Sequence, residues 1–198
     1  TPVQPTPREL SEISSGWLAE VLGMPVDAVA VQQIAVGTGF MGQLGRATLS
    51  SPDPTCPTSV IVKLPTSDPG GQFIGQTMRV WEREHYFYRD VAPLMNIRVP
   101  VALANIADPP CLVLEDLAPL VQGDHVAGAD LRQARTAVDV LAQHHARWFE
   151  HPLLHSLEWM PGLDDPSVAT IGPTFAVGWP LFLQRFGAVI ERFRAGDL

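Results

Sequence analysis

The stretch SVIVKLP, residues Ser59 to Pro65, places one lysine in an otherwise apolar run. Short apolar runs rich in β-branched residues and bounded by prolines are typical of buried strands, and Pro57 precedes this one. An unpaired ammonium inside a protein costs several kcal/mol. Lys63 therefore either extends to solvent at a sheet edge or meets an acidic partner, and the stretch alone leaves both interpretations open.

The segment before this strand predicts a β-hairpin. Residues 29–36 are mostly β-branched or small, and residues 44–50 alternate in polarity as a strand does. Between them, VGTGFMGQLGRATL contains Gly37, Gly39 and Gly42 in a G-x-G-x-x-G arrangement. A dinucleotide-binding fold needs a helix directly after such glycines, whereas prolines follow here too soon for one. The glycines therefore form a turn between strands, either over phosphate groups, as in kinase-type glycine-rich loops, or as an ordinary hairpin turn.

The segment after the strand predicts a helix over residues 73–91. Its apolar face consists of Phe73, Thr77, Val80, Phe87 and Val91. Glu84 interrupts that face, whereas Glu82 falls on a more polar face and is predicted to be solvated. A buried acid on a helix and a buried base on the preceding strand are each costly alone, so we expect Lys63 and Glu84 to pair.

After Leu117 the pattern changes from strands to helices, which indicates a lobe boundary near residues 115–119. We expect a mainly β amino-terminal lobe over residues 1–115, and a hinge with the first helices of a second lobe over residues 116–198. Extended segments are expected over residues 97–106, with a short buried strand just before the boundary.

The second half predicts two long helices. Asp130 begins the first, with Gln133 completing a capping box, and the second begins near Pro180. The first helix carries an apolar stripe formed by Leu131, Ala134, Val138, Leu141 and Trp148. The second carries Phe182, Phe186, Val189 and Phe193. A cluster of histidines lies near the first helix, but His145 falls on its stripe, where a packed side chain is a better interpretation than a metal ligand.

Composition excludes several classes of protein. With 198 residues and 46% apolar content, the chain can bury a sizeable core. Its net charge of −8 argues against a nucleic-acid binder or a protein of anionic membranes, and no apolar run reaches the roughly 18 residues of a membrane span. Two cysteines are too few for a disulfide framework, and Cys111 is interpreted as a small buried residue. Together these features favour a cytoplasmic protein.

Four stretches resemble the aminoglycoside phosphotransferase and choline kinase superfamily, especially its phosphotransferase and ecdysteroid-kinase-like branches. VIVKLP, REHYFYRDVAP, CLVLEDL and LAQHHARWF resemble its lysine strand, glutamate helix, interlobe hinge and first carboxy-terminal-lobe helix, in that order. The resemblance covers nearly the whole chain. It implies an α+β, protein-kinase-like fold, with a β-rich amino-terminal lobe followed by the opening helices of an α-rich lobe.

The resemblance also implies roles for particular residues. Lys63 would contact the phosphates of ATP, Glu84 would hold Lys63, and backbone groups around Glu115 to Leu117 would receive the adenine. The implied cofactors are ATP and Mg²⁺, and the implied activity is phosphoryl transfer to a hydroxyl group of a small molecule. Neither nucleic acid nor a membrane is an expected partner.

The chain departs from the family pattern at the reacting centre. The family has a later H-G-D loop with an Asn and an acidic metal-binding motif, and neither is visible here. Asp124 comes too early for a catalytic loop, and both it and Asp197 are interpreted as solvated acids. We therefore expect the nucleotide-binding part of a longer phosphotransferase, inactive alone, whose helices self-associate or pair with a carboxy-terminal continuation. The alternative is a noncatalytic nucleotide-binding or interaction module.

Overall fold

The protein is a mixture of α-helices and a β-sheet, seen in a computed structural model. The structure describes residues 4–35, 41–121, 123–124, 126–162 and 164–195. Two compact units follow one another along the chain, the first ending at Trp159 and the second beginning at Met160. The predicted mixture of strands and helices is confirmed. The predicted lobe boundary near residue 115 stays a prediction, although the last strand of the sheet does end at Glu115.

All strand pairs in the five-stranded sheet are antiparallel, in the order β1-β2-β3-β5-β4. The strands are β1 Ala28–Ile34, β2 Gly42–Ser50, β3 Ser59–Pro65, β4 Ala102–Ala107 and β5 Pro110–Glu115. The predicted hairpin is present as β1 and β2, and the lysine strand is the central β3. Lys63 is therefore not on an edge strand, and it lies opposite Leu44 on one neighbour and Leu112 on the other.

One face of β3 builds the core of the first unit. Val60, Val62 and Leu64 are almost completely buried, because strand residues two apart share a face. They pack with Trp17 and Leu18 of helix α1, Ser15–Leu22. The cap residues explain where α1 begins and ends, since a serine accepts from a backbone N–H at its start and a glycine with φ of 68° ends it. Lys63 points to the opposite face of the sheet.

The prediction of one continuous helix over residues 73–91 is wrong, because the segment forms two separate helices. Helix α2, Pro69–Thr77, and helix α3, Val80–Tyr86, are separated by a break at Arg79, whose φ is 53°. A π-helical turn over residues 87–91 and a 3₁₀ turn over residues 92–94 then follow. The break interrupts the periodic stripe, so Phe73, predicted to be on its apolar face, is 71% exposed.

The long helix predicted after Asp130 is present as α4, Leu131–Trp148, with the expected capping box. The short α5, Pro166–Ala169, and the long α6, Ile171–Ala195, lie in the second unit. The predicted start of α6 near Pro180 is wrong, because the helix begins nine residues earlier and contains that proline. Within the described ranges, no helix combines enough length and apolar character to cross a membrane.

Both long helices expose apolar side chains. Of the predicted α4 stripe, Leu131 is 69% and Val138 is 62% exposed, while Trp148 is buried. The α6 residues Phe175, Trp179, Phe182 and Phe186 form a ladder of aromatic rings with centroids 5.1–5.5 Å apart. Each of these rings is at least 40% exposed. Apolar surface of this extent is typical of an interface rather than of a solvated face.

Candidate functional site

Lys63 and Glu84 form the ion pair predicted from the sequence. The Lys63 ammonium Nζ donates a hydrogen bond to Glu84 Oε1 at 2.6 Å, joining the middle of β3 to α3. The two side chains are 28% and 24% exposed, so the pair is half-buried rather than enclosed. Lys63 is also the single lysine of the chain, and the other twelve basic residues are arginines. The Lys63 side chain is thus held by a carboxylate and remains partly accessible to solvent.

Helix α3 is fixed against the sheet around this pair. His85 Nδ1 lies 2.6 Å from Asn105 Oδ1 of β4, and the Asn105 amide donates to the His85 carbonyl at 2.9 Å. A cavity of about 10 Å³ lies beside the pair, enough for about one water molecule. Its lining includes Lys63, Trp81, Glu84, His85, Cys111 and Leu112. The contacts between His85 and Asn105 fix the distance between α3, which carries Glu84, and the sheet.

The start of β2 closely approaches the backbone at the end of β3, and this explains Gly42. A Cβ at Gly42 would lie 3.1 Å from the Leu64 carbonyl oxygen and 3.5 Å from Lys63 Cε. A Cβ here would therefore crowd the Leu64 carbonyl and also contact the lysine side chain. The other two glycines of the predicted loop, Gly37 and Gly39, lie outside the described residues, so their role in phosphate binding stays a prediction.

Apolar side chains flank Lys63 on its face of the sheet. Cross-strand partners share a face, which places Leu44 and Leu112 beside Lys63, and Ile61 and Leu114 one pair further along. The leucines of β5 are buried, whereas Leu44 and Ile61 are half-buried. The partly exposed Lys63 side chain therefore lies close to the half-buried Leu44 and Ile61, which is an arrangement suited to a ligand with an aromatic ring and an anionic group.

Sequence reasoning missed Asp116, which anchors the segment after β5. Arg46 of β2 binds it in bidentate fashion, with Nε to Oδ2 at 2.7 Å and Nη2 to Oδ1 at 3.1 Å. The Ser59 hydroxyl and the Ala118 backbone N–H also donate to it. Its side chain is only 5% exposed, and the hydrogen bond from Arg46 holds the pKa of the Asp116 carboxyl below its usual range.

The predicted adenine-binding segment, Glu115 to Leu117, already uses some of its polar groups. The Glu115 backbone N–H donates to the Val101 carbonyl at 2.9 Å, and the Leu117 carbonyl accepts from the Leu120 N–H. The Glu115 carboxylate pairs with Arg98, and this hydrogen bond lowers its pKa. Any ligand of this segment would have to bind its remaining backbone groups, so the role carried over from the family stays a prediction.

The remaining candidates do not assemble into a second site. Asp124, predicted to be a solvated loop acid, is exposed and accepts turn hydrogen bonds from the N–H groups of Val126 and Ala127. Asp197 lies outside the described residues. In the parts of the chain that the structure describes, no three His, Cys, Asp or Glu side chains cluster as metal ligands. Cys111 is buried as predicted, and burial raises the pKa of its thiol to about 12.

A search against protein-family models and a search of curated proteins found no match for this chain. The description of the site therefore rests on its own geometry. That geometry consists of a half-buried lysine and glutamate pair, an apolar sheet face beside it, and a segment after β5 fixed by Asp116.

Proposed function

We propose that this chain binds ATP and forms the nucleotide-binding part of a phosphotransferase that acts on a hydroxyl group of a small molecule, within a protein-kinase-like fold. The observation that carries the proposal is the Lys63 side chain, whose ammonium is held at 2.6 Å by Glu84 and which is still 28% exposed beside the half-buried Leu44. The family resemblance of the lysine strand and the glutamate helix supports the same assignment.

Each part of the site has a chemical role in this proposal. The ammonium of Lys63 would bind phosphate oxygens as a point charge, and the hydrogen bond to Glu84 would hold the lysine side chain in position. The half-buried side chains of Leu44 and Ile61 suit the face of a purine ring, which would gain from losing its contact with water. Backbone groups near Leu117 would then meet the polar edge of that ring.

The proposal assigns only the nucleotide side of the reaction to the described residues. Phosphoryl transfer also needs a group that orients the hydroxyl and carboxylates that hold Mg²⁺. The Glu84 carboxylate already accepts a hydrogen bond from Lys63, and the Asp116 carboxylate accepts hydrogen bonds from Arg46 and Ser59. No described residue is assigned as catalytic base or Mg²⁺ ligand, so we expect no phosphotransfer by these 198 residues alone.

The second candidate function is an interaction module that binds a nucleotide or a protein without catalysis. The exposed aromatic ladder of α6 favours it, because Phe175 and Phe182 remain 60% and 44% exposed. A screen for phosphotransfer from ATP to hydroxylated small molecules separates the two functions, if it is run on this chain and on the full gene product. If the full gene product is active and this chain is not, the result supports the phosphotransferase function. If neither protein is active, the result supports the interaction module.

Calorimetry with a nonhydrolysable ATP analogue and Mg²⁺ tests nucleotide binding directly. Lys63→Ala should weaken binding at least about tenfold, as expected when a charge-assisted bond to phosphate is lost. Arg89→Ala is the matched control, because it also removes one cationic side chain, here one that pairs with Asp90. Equal affinity of the Lys63 variant and the unaltered chain would refute the assignment.

The single lysine permits a second test. An acyl-phosphate derivative of ATP acylates a lysine amine near its phosphates and releases ATP. Because the chain has no other lysine, side-chain amide formation here reports on Lys63 alone. We expect labelling that excess ATP blocks, and labelling that ATP does not block would count against a nucleotide site at Lys63.

A further inference from the structure

Trp81 connects the two elements on either side of the lysine and glutamate pair. It lies on α3 three residues before Glu84, so both side chains leave the helix on neighbouring positions of one face. Its indole N–H donates to the backbone carbonyl of Met41 at 2.8 Å. Met41 directly precedes β2, so this bond joins α3 to a strand that is 40 residues away in sequence.

The indole ring is held from its other side by α2. A Cβ at Gly75 would come within 2.5 Å of the Trp81 ring, so only glycine allows this approach. The ring therefore cannot shift towards α2 without a clash. Trp81 is fixed between Gly75 on one side and the Met41 carbonyl on the other.

The Met41 carbonyl, which accepts the Trp81 hydrogen bond, lies close to Lys63. The Met41 carbonyl also accepts from the Thr66 N–H at 3.3 Å, just past the end of β3. The next residue, Gly42, lies where a Cβ would come within 3.1 Å of the Leu64 carbonyl oxygen and in contact with Lys63 Cε. Trp81, Lys63 and Glu84 line the same small cavity. A movement of α3 that carried Glu84 away from Lys63 would thus also strain the hydrogen bond between Trp81 and Met41.

We infer that Trp81 is a positioning residue, which couples the start of β2 to Glu84 so that both are placed together around the Lys63 ammonium. This inference rests on the proposed function for the identity of the ligand, ATP. The coupling between the two elements, in contrast, is a property of the unliganded chain. It can be measured whether or not ATP binds.

The test replaces Trp81 by 3-benzothienylalanine, which keeps the ring shape and substitutes sulfur for the N–H group. The matched control is the same replacement at Trp159, whose indole N–H donates over the same distance, 2.8 Å, to the carboxylate of Asp90, a residue outside both measured segments. Hydrogen exchange is measured in the segments 41–45 and 80–86 of the unliganded chain. The affinity for a nonhydrolysable ATP analogue is measured in parallel.

Loss of one hydrogen bond should speed exchange in both segments about fivefold, and should weaken ATP binding by a similar factor. The Trp159 variant should change neither quantity. If exchange in the two segments does not rise together, or if ATP binds equally well without the Trp81 N–H, the inference is overturned. If the unaltered chain does not bind ATP, the proposed function fails, and the exchange experiment still decides whether Trp81 couples the two elements.

Discussion

The half-buried ion pair between Lys63 and Glu84 allows a quantitative prediction. Removing either partner should destabilise the fold, because the other charge then remains beside apolar side chains such as Leu112. Lys63→Met and Glu84→Gln keep approximately the size of each side chain and remove its charge. A double-mutant cycle of these changes isolates the pair from the other effects of each substitution.

The expected magnitude follows from the exposure of the pair. Breaking a fully buried pair costs about 3–5 kcal/mol, and an exposed pair contributes about 0–1 kcal/mol. The Lys63 and Glu84 side chains are 28% and 24% exposed, and the bond is short at 2.6 Å. We therefore expect a coupling free energy between these limits, about 1–2 kcal/mol.

The assay is urea unfolding of the four proteins of the cycle, with the free energy of unfolding extrapolated to water. Arg79 and Glu82, an ion pair at the start of the same helix with side chains 46% and 43% exposed, provide the control cycle. Its coupling should not exceed about 0.5 kcal/mol. Equal coupling in both cycles would refute the argument that partial burial strengthens the Lys63 pair.

Three further predictions concern the rest of the chain. Because the folded-state pKa of Asp116 is lowered, its contribution to stability is present above its unfolded pKa of about 3.9 and is lost as pH falls. Asp116→Asn should therefore destabilise the protein at pH 7 and flatten the loss of stability below about pH 4, and an unchanged acid profile would contradict this. Half-buried Cys56 should react with a thiol reagent well before buried Cys111, whose pKa is raised to about 12, and equal rates in the folded protein would contradict the burial argument. The exposed rings of α6 should bind a hydrophobic dye or drive self-association, and Phe182→Glu should reduce both, as dye fluorescence and light scattering would show.

The strands and the ion pair were predictable because their signals are local. Proline and glycine bound the strands, and alternation along β3 places Lys63 and Ile61 on one face. The pairing of Lys63 with Glu84 followed from the cost of leaving either charge alone. The position of Gly42 next to the lysine needed the register between β2 and β3, which is a tertiary feature.

The break between α2 and α3 was not predictable from residue types. Arg79 adopts a positive φ, a conformation that usually requires glycine or asparagine, so no local signal marks it. Asp68 and Pro69, in contrast, are an ordinary cap and first residue, and could have placed the start of α2 correctly. In α6, Pro180 is a residue typical of a helix start, but here it lies inside the helix, which tolerates the lost hydrogen bond.

Asp116 was missed although the alternation of β5 contained its signal. Leu112 and Leu114 share the face of Lys63, and continuing by two residues places Asp116 on that face and Glu115 on the other. The two adjacent acids accordingly bind different arginines, Asp116 binding Arg46 of β2 and Glu115 binding the arginine that precedes β4. The end of β5 and the segment after it are therefore each fixed by an ion pair. A ligand that lies on the Lys63 face would meet a segment whose position is already set, which reduces the ordering cost of binding.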